Sequence, residues 1–430
     1  MTLLMETDRS LPLVQLGISA YSGAVLDPQG KEGLTRLMTR LMRRTGDGLG
    51  PEVLDERFDT LGSAMSSDVS ITSSGFSGSV ISASLNAFVK LAQGVLCRPS
   101  FDSSELERLQ RETIDEIREL KDSDRSLARM WYRTAFFGAH PYGRSVLGTE
   151  QTLSAISPDD IRAHYARTIV RDNLLLAVAG DADELRVKEL EAALFDALPA
   201  GPKPESQVPA PVSLPGRRLL VVDKPERTQT QIVIGTMGSH PSDPDHTALV
   251  VGNTIFGGTF TARLMQEVRA KRGWSYGASS SVPFDRQRQS FSMWTFPQAS
   301  DAAACVRLQL DLLRTWVNEG VSAEELSWAK RYLIRSNVFN LDTAAKRMSL
   351  LVDERIYDLP ANYYAEYPAR VEAVTLDEVN AAIRKRISLE DVLITVVGTE
   401  ANIGNDLRGA VDGLSEYRVV PFDADPVSPW

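Results

Sequence analysis

The first residues that could do chemistry lie on a predicted helix, residues 33–42. Its apolar residues at positions 34, 37, 38 and 41 have the spacing of a core-facing stripe, and the helix also carries Arg36, Thr39 and Arg40. Glu116 follows Arg36 by 80 residues. A carboxylate facing the two guanidinium groups would form an ion pair; the alternative is a solvated helix face, with Glu116 elsewhere. Neither arrangement holds a metal ion, because a guanidinium has no lone pair to donate.

A second stretch with chemical potential is residues 256–277, which contains Arg269 and, seven positions later, Tyr276. The pattern predicts a helix over 261–272 that ends at Gly273, and a strand that begins at Tyr276. A guanidinium and a phenol can both donate hydrogen bonds to an oxygen atom. Taken alone, the two residues could equally be a helix cation and a strand aromatic. The preceding Gly-Gly pair favours a tight turn, since no phosphate-loop motif follows it.

The remaining chemistry-bearing residues do not suggest a metal site. The histidines, His140, His164, His240 and His246, lack the close spacings that metal sites use. The two cysteines lie in apolar surroundings in different halves of the chain, so they indicate neither a disulfide framework nor a thiolate site. The sequence therefore predicts that this chain binds no metal and carries no cofactor of its own.

Composition excludes several classes of protein. The 430-residue chain is 43% hydrophobic and 24% charged, which is typical of a globular protein with a sizeable core. Its net charge of -10 argues against a nucleic-acid partner, which would require a basic surface. No apolar run is long enough to span a membrane. The first residues do not form a signal peptide, and they enter strand-like sequence as though an upstream segment had been removed.

The chain reads as a duplication around a proline-rich linker. Six prolines fall within residues 198–218 and favour extended backbone. On either side, three landmarks recur at a similar offset: the strand-final glycines Gly180 and Gly398 are 218 apart, the strand starts Leu3 and Leu219 are 216 apart, and two helix openings are 220 apart. We therefore predict domains over 1–198 and 219–430, with a linker at 199–218.

The element pattern of each half predicts the fold class. Strands, a hairpin of alternating residues such as 69–85, a run of helices and a final buried strand follow in that order. This order is typical of an α+β fold with two similar domains, each a mostly antiparallel sheet packed by helices.

The two chemistry-bearing stretches together resemble the M16 family of zinc peptidases, the pitrilysin and mitochondrial processing peptidase type. In that family Gly-Leu-Ala precedes a His-x-x-Glu-His motif, and Arg36, Thr39 and Arg40 stand where it has its first His, its Glu and its second His; Glu116 stands near the third zinc ligand. Arg269 and Tyr276 match the Arg and Tyr of the family's second half. The resemblance covers the chain from about residue 3 to 400 and implies a degenerate zinc site beside an intact substrate pair.

The resemblance also implies a function and a partner. A chain with the Arg/Tyr pair but no zinc motif would be the non-catalytic subunit of a heterodimer, inactive alone, whose homologous His-x-x-Glu-His partner supplies zinc and the general base. Arg269 and Tyr276 would bind and polarise the peptide substrate. The alternatives are a purely structural subunit of the core-protein type and a stand-alone peptide-binding protein. Analogy with secreted bacterial pairs favours the periplasm over the cytoplasm.

Overall fold

The computed structural model describes residues 2–205 and 207–430. These residues form two compact units. The first unit contains the described residues of 1–117, 144–208 and 339–358, and the second contains 118–143, 209–338 and 359–430. The units part between residues 208 and 209, inside the proline-rich segment. The division into 1–198, a linker at 199–218 and 219–430 stays a prediction. In addition, residues 118–143 of the first half belong to the second unit, and residues 339–358 of the second half belong to the first unit.

The first unit is built on a five-stranded sheet with the order β1-β5-β2-β4-β3. Strands β1 and β5 are parallel, and the other neighbours are antiparallel. The strands are β1 (Thr2–Thr7), β2 (Leu13–Ala20), β3 (Ala64–Val69), β4 (Ser74–Ile81) and β5 (Leu174–Gly180). The final buried strand of the first half, β5, begins at Leu174, because Arg171–Asn173 before it forms a 3-10 turn. The predicted hairpin is β3 and β4, and it starts at Ala64.

The second unit repeats this order in a six-stranded sheet, β11-β6-β10-β7-β9-β8. Its first five strands in chain order match β1 to β5 in sheet position, which confirms the internal duplication; β11 is an addition that pairs parallel to β6. The strands are β6 (Arg217–Asp223), β7 (Gln231–Met237), β8 (Ala278–Ser281), β9 (Ser290–Thr295), β10 (Val392–Gly398) and β11 (Leu414–Pro421). The predicted mostly antiparallel α+β architecture is confirmed.

Helices pack on both sheets. In chain order they are α1 (Leu34–Arg44), α2 (Pro51–Thr60), α3 (Leu85–Cys97), α4 (Ser103–Asp122), α5 (Asp124–Phe137), α6 (Glu150–Ser154), α7 (Pro158–Thr168), α8 (Glu184–Phe195), α9 (His246–Phe256), α10 (Arg263–Met265), α11 (Ala302–Glu319), α12 (Ala323–Ser336), α13 (Ala344–Ile356), α14 (Tyr367–Ala373), α15 (Leu376–Arg386) and α16 (Glu400–Ala410). A π-helix, Gln266–Ala270, continues α10. No helix of the described chain is long and apolar enough to cross a membrane.

Local sequence explains where the elements begin and what they bury. Helix α7 starts after Ser157 and α15 after Thr375. Both starts are closed by a capping box, which Ser-x-x-Asp and Thr-x-x-Glu sequences favour. The stripe of α1 is buried, with Leu37 and Leu41 fully removed from solvent. Each unit has its own hydrophobic core, and the second stacks Phe256 on Trp316 at 4.4 Å between ring centroids.

Two helices belong to the unit of the other half of the chain. Helix α5 comes from the first half, yet it contacts β7 and β10 of the second unit. Helix α13 comes from the second half and contacts β1 and β5 of the first unit. The two helices start at equivalent positions, 220 residues apart, so the exchange is reciprocal.

Candidate functional site

A buried polar network fixes the start of α1. Gly33 has a φ of 98°, and a side chain there would collide with the Leu147 carbonyl. The Asp27 carboxylate accepts hydrogen bonds from the Gly33 and Thr35 backbone amides at 2.9 Å, and from the Thr35 hydroxyl. His164 Nε2 lies 2.9 Å from that hydroxyl. With its first turn held here and its apolar stripe buried, α1 presents Arg36 and Arg40 to α4.

The structure brings the predicted zinc-site positions together as an ion-pair cluster. Arg36 Nη2 donates to both carboxylate oxygens of Glu116, at 2.8 and 2.9 Å. Arg40 donates to Thr113 at 3.0 Å and to Glu112 at 3.2 Å, and it lies 3.7 Å from Glu116. Of the two alternatives, the structure therefore has the ion pair and not the solvated helix face. Glu112 was overlooked in the sequence, although its position one helical turn before Glu116 is a signal for it.

The side chains of the cluster are partly buried. The side chains of Arg36 and Arg40 are 20% and 23% exposed. Burial and the adjacent Arg36 lower the pKa of Arg40, while Glu116 and Glu112 oppose that effect. Arg44 adds a third guanidinium, 2.9 Å from Glu112. Glu105 also lies 3.5 Å from Arg44, so three carboxylates surround the three guanidinium groups.

The residues at these positions do not fit zinc. Both oxygens of Glu116, the carboxylate at the expected ligand position, are engaged by Arg36, and guanidinium groups cannot act as ligands. Thr39 is 1% exposed, and its hydroxyl donates to the Arg36 carbonyl at 3.1 Å, so it cannot act as a general base. Within residues 2–205 and 207–430 no group of three or more His, Cys, Asp or Glu side chains is arranged to hold a metal ion. No hydrolytic step can be assigned to this helix.

The histidines have structural surroundings. His164 and His246 are buried, and burial lowers the pKa of each to about 4. Burial also raises the pKa of Asp27, beside His164, to about 6. Asp27, Thr35 and His164 have the residue types of a catalytic triad, but the hydroxyl and not the imidazole lies in the middle. Thr35 is also 2% exposed, so a substrate cannot reach it. His140 bonds the Pro209 carbonyl at 2.8 Å and the Tyr142 amide at 3.1 Å, so it ties down a loop.

The segment that carries Arg269 differs from the predicted helix. Residues 263–265 are α-helical, but Gln266–Ala270 is a π-helix, a form often found at functional sites. The segment ends at Gly273, at a φ of 66°, as the sequence predicts. Tyr276 does not begin the next strand, because β8 starts two residues later, at Ala278.

The glycine pair before this segment serves packing. A Cβ on Gly257 would lie 2.3 Å from the Ser280 hydroxyl, and one on Gly258 would lie 2.9 Å from the Thr254 backbone. The Gly257 carbonyl also accepts a hydrogen bond from the Ser280 amide at 2.9 Å. The turn is therefore closed against β8, in agreement with the predicted tight turn.

Arg269 and Tyr276 are both available at the surface of the second unit. The Arg269 guanidinium lies 4.6 Å from the centre of the Phe260 ring, and Phe260 is itself 64% exposed. Tyr276 is 83% exposed. Across the described chain neither side chain forms a hydrogen bond or ion pair with the other, and Arg269 has no carboxylate within 4.0 Å.

The neighbouring cations are all paired. Arg263 forms a two-pronged bond with Glu325, at 2.8 and 2.6 Å. Lys271 and Arg272 share Glu267, at 2.5 and 2.7 Å. Arg269 is the one cation of residues 263–272 that the described structure leaves without a carboxylate.

Comparison with known proteins places this geometry in a family. The family described as Insulinase (Peptidase family M16) matches residues 2–150, and that described as Peptidase M16 inactive domain matches residues 155–333. An uncharacterized zinc protease of Streptomyces coelicolor is 24% identical over 385 residues, which are 88% of this chain and 83% of that protein. A non-peptidase homolog of Helicobacter pylori is 19% identical over 397 residues, which are 92% of this chain and 91% of that one.

A solved structure has the same fold. The crystal structure of a peptidase M16 inactive domain from Pseudomonas fluorescens superposes with a TM-score of 0.86 at 24% identity, and the match covers 92% of this chain and 95% of that one. The two family matches together span most of the sequence, and the fold agrees with them. The chain belongs to the M16 peptidase family.

Proposed function

We propose that this chain is the non-catalytic subunit of a heterodimeric M16-type zinc endopeptidase. A homologous partner with an intact His-x-x-Glu-His motif supplies the zinc ion and the general base. This chain supplies Arg269 and Tyr276, which bind the peptide substrate and polarise the carbonyl under attack.

The observation that carries the proposal is the state of Arg269. It is the cation in its segment that lacks a carboxylate, it is held over the Phe260 ring, and the exposed Tyr276 follows seven residues later. Arg263, Lys271 and Arg272 each bind a carboxylate of this chain, so Arg269 differs in this respect from the other cations of its segment. The π-helix changes the direction in which Arg269 projects, relative to a regular α-helix.

The ion-pair cluster supports the other half of the proposal. Arg36, Arg40, Glu112 and Glu116 neutralise each other and stabilise the contact between α1 and α4 without a metal ion. The fold of a zinc-bearing domain is thus kept while its chemistry is absent, and the metal has to come from a second chain.

The chemistry of the pair follows from charge development. Attack of water on a peptide carbonyl places negative charge on the carbonyl oxygen. An Arg N–H and a Tyr O–H that already point to that position stabilise it without reorganising, which lowers the barrier more than it strengthens substrate binding. An edge strand of the partner could hold the extended peptide by strand addition.

The test begins with purification of the tagged chain from its native host and identification of bound proteins by mass spectrometry. Peptide cleavage is then measured for the chain alone, the partner alone and the mixture, with zinc determined in each. We expect activity only in the mixture and no stoichiometric zinc in this chain. One tightly held zinc per isolated chain, lost in Glu116→Gln, would contradict the proposal, as would an assembled pair with no more activity than the partner alone.

A further inference from the structure

A groove in the second unit lies between α5 and the β8–β9 hairpin. It encloses about 290 Å³, and its floor includes Ser279 and Ser281 of β8 and Ser292 and Trp294 of β9. Alternate residues of a strand share a face, and Ser281 pairs with Ser292 while Ser279 pairs with Trp294. The hydroxyls of these three serines form no hydrogen bond within the described chain. They are free to bind a ligand.

The wall of the groove is a stripe of arginines without acidic partners. Arg125, Arg129 and Arg133 follow each other at four-residue spacing on one face of α5. Arg129 and Arg133 line the cavity, and Arg125 lies over the Trp294 ring at 4.1 Å. None of the described lining residues is acidic, and none of the three arginines has a carboxylate within 4.0 Å in the part of the chain that the structure describes.

Arg133 is the strongest indication that the groove binds an anion. Its Nε atom is buried and has no hydrogen-bond partner among the described residues. Burial lowers the pKa of Arg133 and of Arg129, but a guanidinium keeps its proton, so the charge remains. A desolvated cation without a counter-charge is unfavourable, and an anion that enters the groove would offset this.

The duplication shows that the fold does not require these arginines. Helix α13 occupies the equivalent place on the first sheet, and it lines a similar cavity with Ala345 and Ser349. At the 220-residue offset these positions correspond to Arg125 and Arg129, and Asp353 corresponds to Arg133. The same packing is thus achieved with small or acidic residues.

The spacing of the arginines matches an extended peptide. Successive arginines are about 6 Å apart along the helix axis, from a rise of about 1.5 Å per residue. Alternate side chains of an extended strand are about 6.6 Å apart. Carboxylates at every second position of a strand would therefore meet successive arginines, and β8 is the edge strand of its sheet, beside which such a segment could run.

We infer that this groove binds an extended peptide segment with acidic side chains at alternate positions. The segment would belong to the substrate, so the inference rests on the proposed function and names its substrate class. Ser279 is three residues beyond Tyr276, a reach of at most about 11 Å. Acidic residues in the groove would thus lie a few residues from the bond that is cleaved.

The test measures peptide binding by the isolated full-length chain with fluorescence anisotropy. Three labelled peptides are compared: Glu-Ala-Glu-Ala-Glu, its Gln counterpart, and Glu-Glu-Glu-Ala-Ala, which has the same charge in a different spacing. We expect the first to bind about tenfold more tightly than the Gln peptide, since bonds to charged groups are the strong ones, and more tightly than the contiguous one. Equal binding of all three would overturn the inference.

The variants separate the groove from general charge. Arg129→Gln with Arg133→Gln should weaken binding of the alternating peptide at least tenfold. The control is Arg331→Gln with Arg335→Gln, which removes two exposed arginines of the same spacing from α12 and should leave binding unchanged. Loss of an unpaired buried charge should not lower the melting temperature of the groove variant, which thermal unfolding checks. If the control weakens binding as much as the groove variant, the groove is not the site.

A last arm separates a peptide site from a phosphate site. Inorganic triphosphate should compete with the alternating peptide more weakly than the unlabelled peptide does. If triphosphate is the better competitor, the groove is a phosphate site and the inference is wrong. These outcomes concern the isolated chain, whereas the proposed function is judged by turnover of the heterodimer, so either can fail without the other.

Discussion

Removal of a single hydroxyl group tests the role of Tyr276 in the assembled heterodimer. Tyr276→Phe keeps the ring, and the Tyr276 hydroxyl makes no hydrogen bond within the described chain, so we expect the free energy of unfolding to change by less than about 0.5 kcal/mol. The effect on catalysis should be far larger. Loss of one oxyanion donor typically lowers kcat by about a hundredfold, which corresponds to about 2.7 kcal/mol of transition-state stabilisation.

The assay is steady-state cleavage of a fluorogenic peptide by the reconstituted pair. Because the bond to Tyr276 strengthens as charge builds on the oxygen, kcat should fall much more than KM rises. Tyr332→Phe is the matched control, since Tyr332 is 44% exposed on α12 of the same unit. It should have wild-type kinetics.

A double variant shows whether Tyr276 and Arg269 act on the same oxygen. Arg269→Gln alone should also lower kcat, and the double variant should fall short of the product of the two single effects, because groups that act as a unit are not additive. If Tyr276→Phe leaves kcat unchanged in a pair whose assembly is confirmed by gel filtration, the half-site reasoning is refuted and a structural subunit becomes the better description.

Three further predictions concern stability. Glu116→Gln should lower the free energy of unfolding by about 1 kcal/mol in urea titrations. This is less than the cost of breaking a fully buried pair, because Glu116 is 43% exposed. Glu119 is exposed, so the control Glu119→Gln should have no effect. The folded-state pKa of His246 is about 4 against 6.5 for the unfolded chain, so the unfolded state binds more protons between these values. The free energy of unfolding should therefore fall by up to about 3 kcal/mol from pH 6.5 to 4. In His246→Asn this fall should be smaller, and an equal fall in the variant and the wild type would contradict the prediction. A fragment of residues 1–198 lacks α13, so it should expose the β1 and β5 surface and bind the dye ANS until a peptide of residues 339–358 is added; a fragment with no dye binding would show that α13 is dispensable.

The parts of the fold that could be predicted from the sequence are those set by local patterns. The buried strands β5 and β10 are continuous apolar runs, and the helices that precede them have capping boxes, so both were located together with the duplication that they mark. The π-helix could not be predicted, because its residues have ordinary helical patterning and no local pattern encodes the difference of one hydrogen-bond step.

The candidate site was predicted unevenly for a similar reason. Arg36, Arg40 and Glu116 were identified from a motif, yet the choice between an ion pair and a solvated surface depends on how α4 packs on α1, which no local pattern encodes. The identities of Arg269 and Tyr276 were evident, but not the absence of a carboxylate beside Arg269. Their role in a heterodimer and the periplasmic location stay predictions.

The exchange of α5 and α13 explains why the arginine groove was missed. Arg125, Arg129 and Arg133 have helical spacing in the first half of the chain, where they look like the solvated face of a first-half helix. Only the packing of α5 on β7 and β10 sets that face against the serines of β8 and β9, about 150 residues further along the chain. In this duplicated chain, α5 of the first half packs on the second sheet, and α13 of the second half packs on the first sheet. Substitutions on one of these helices therefore change one groove and leave the other unchanged. The contrast between Arg129 and Ser349 at the same place in the two units is what such independent change would leave.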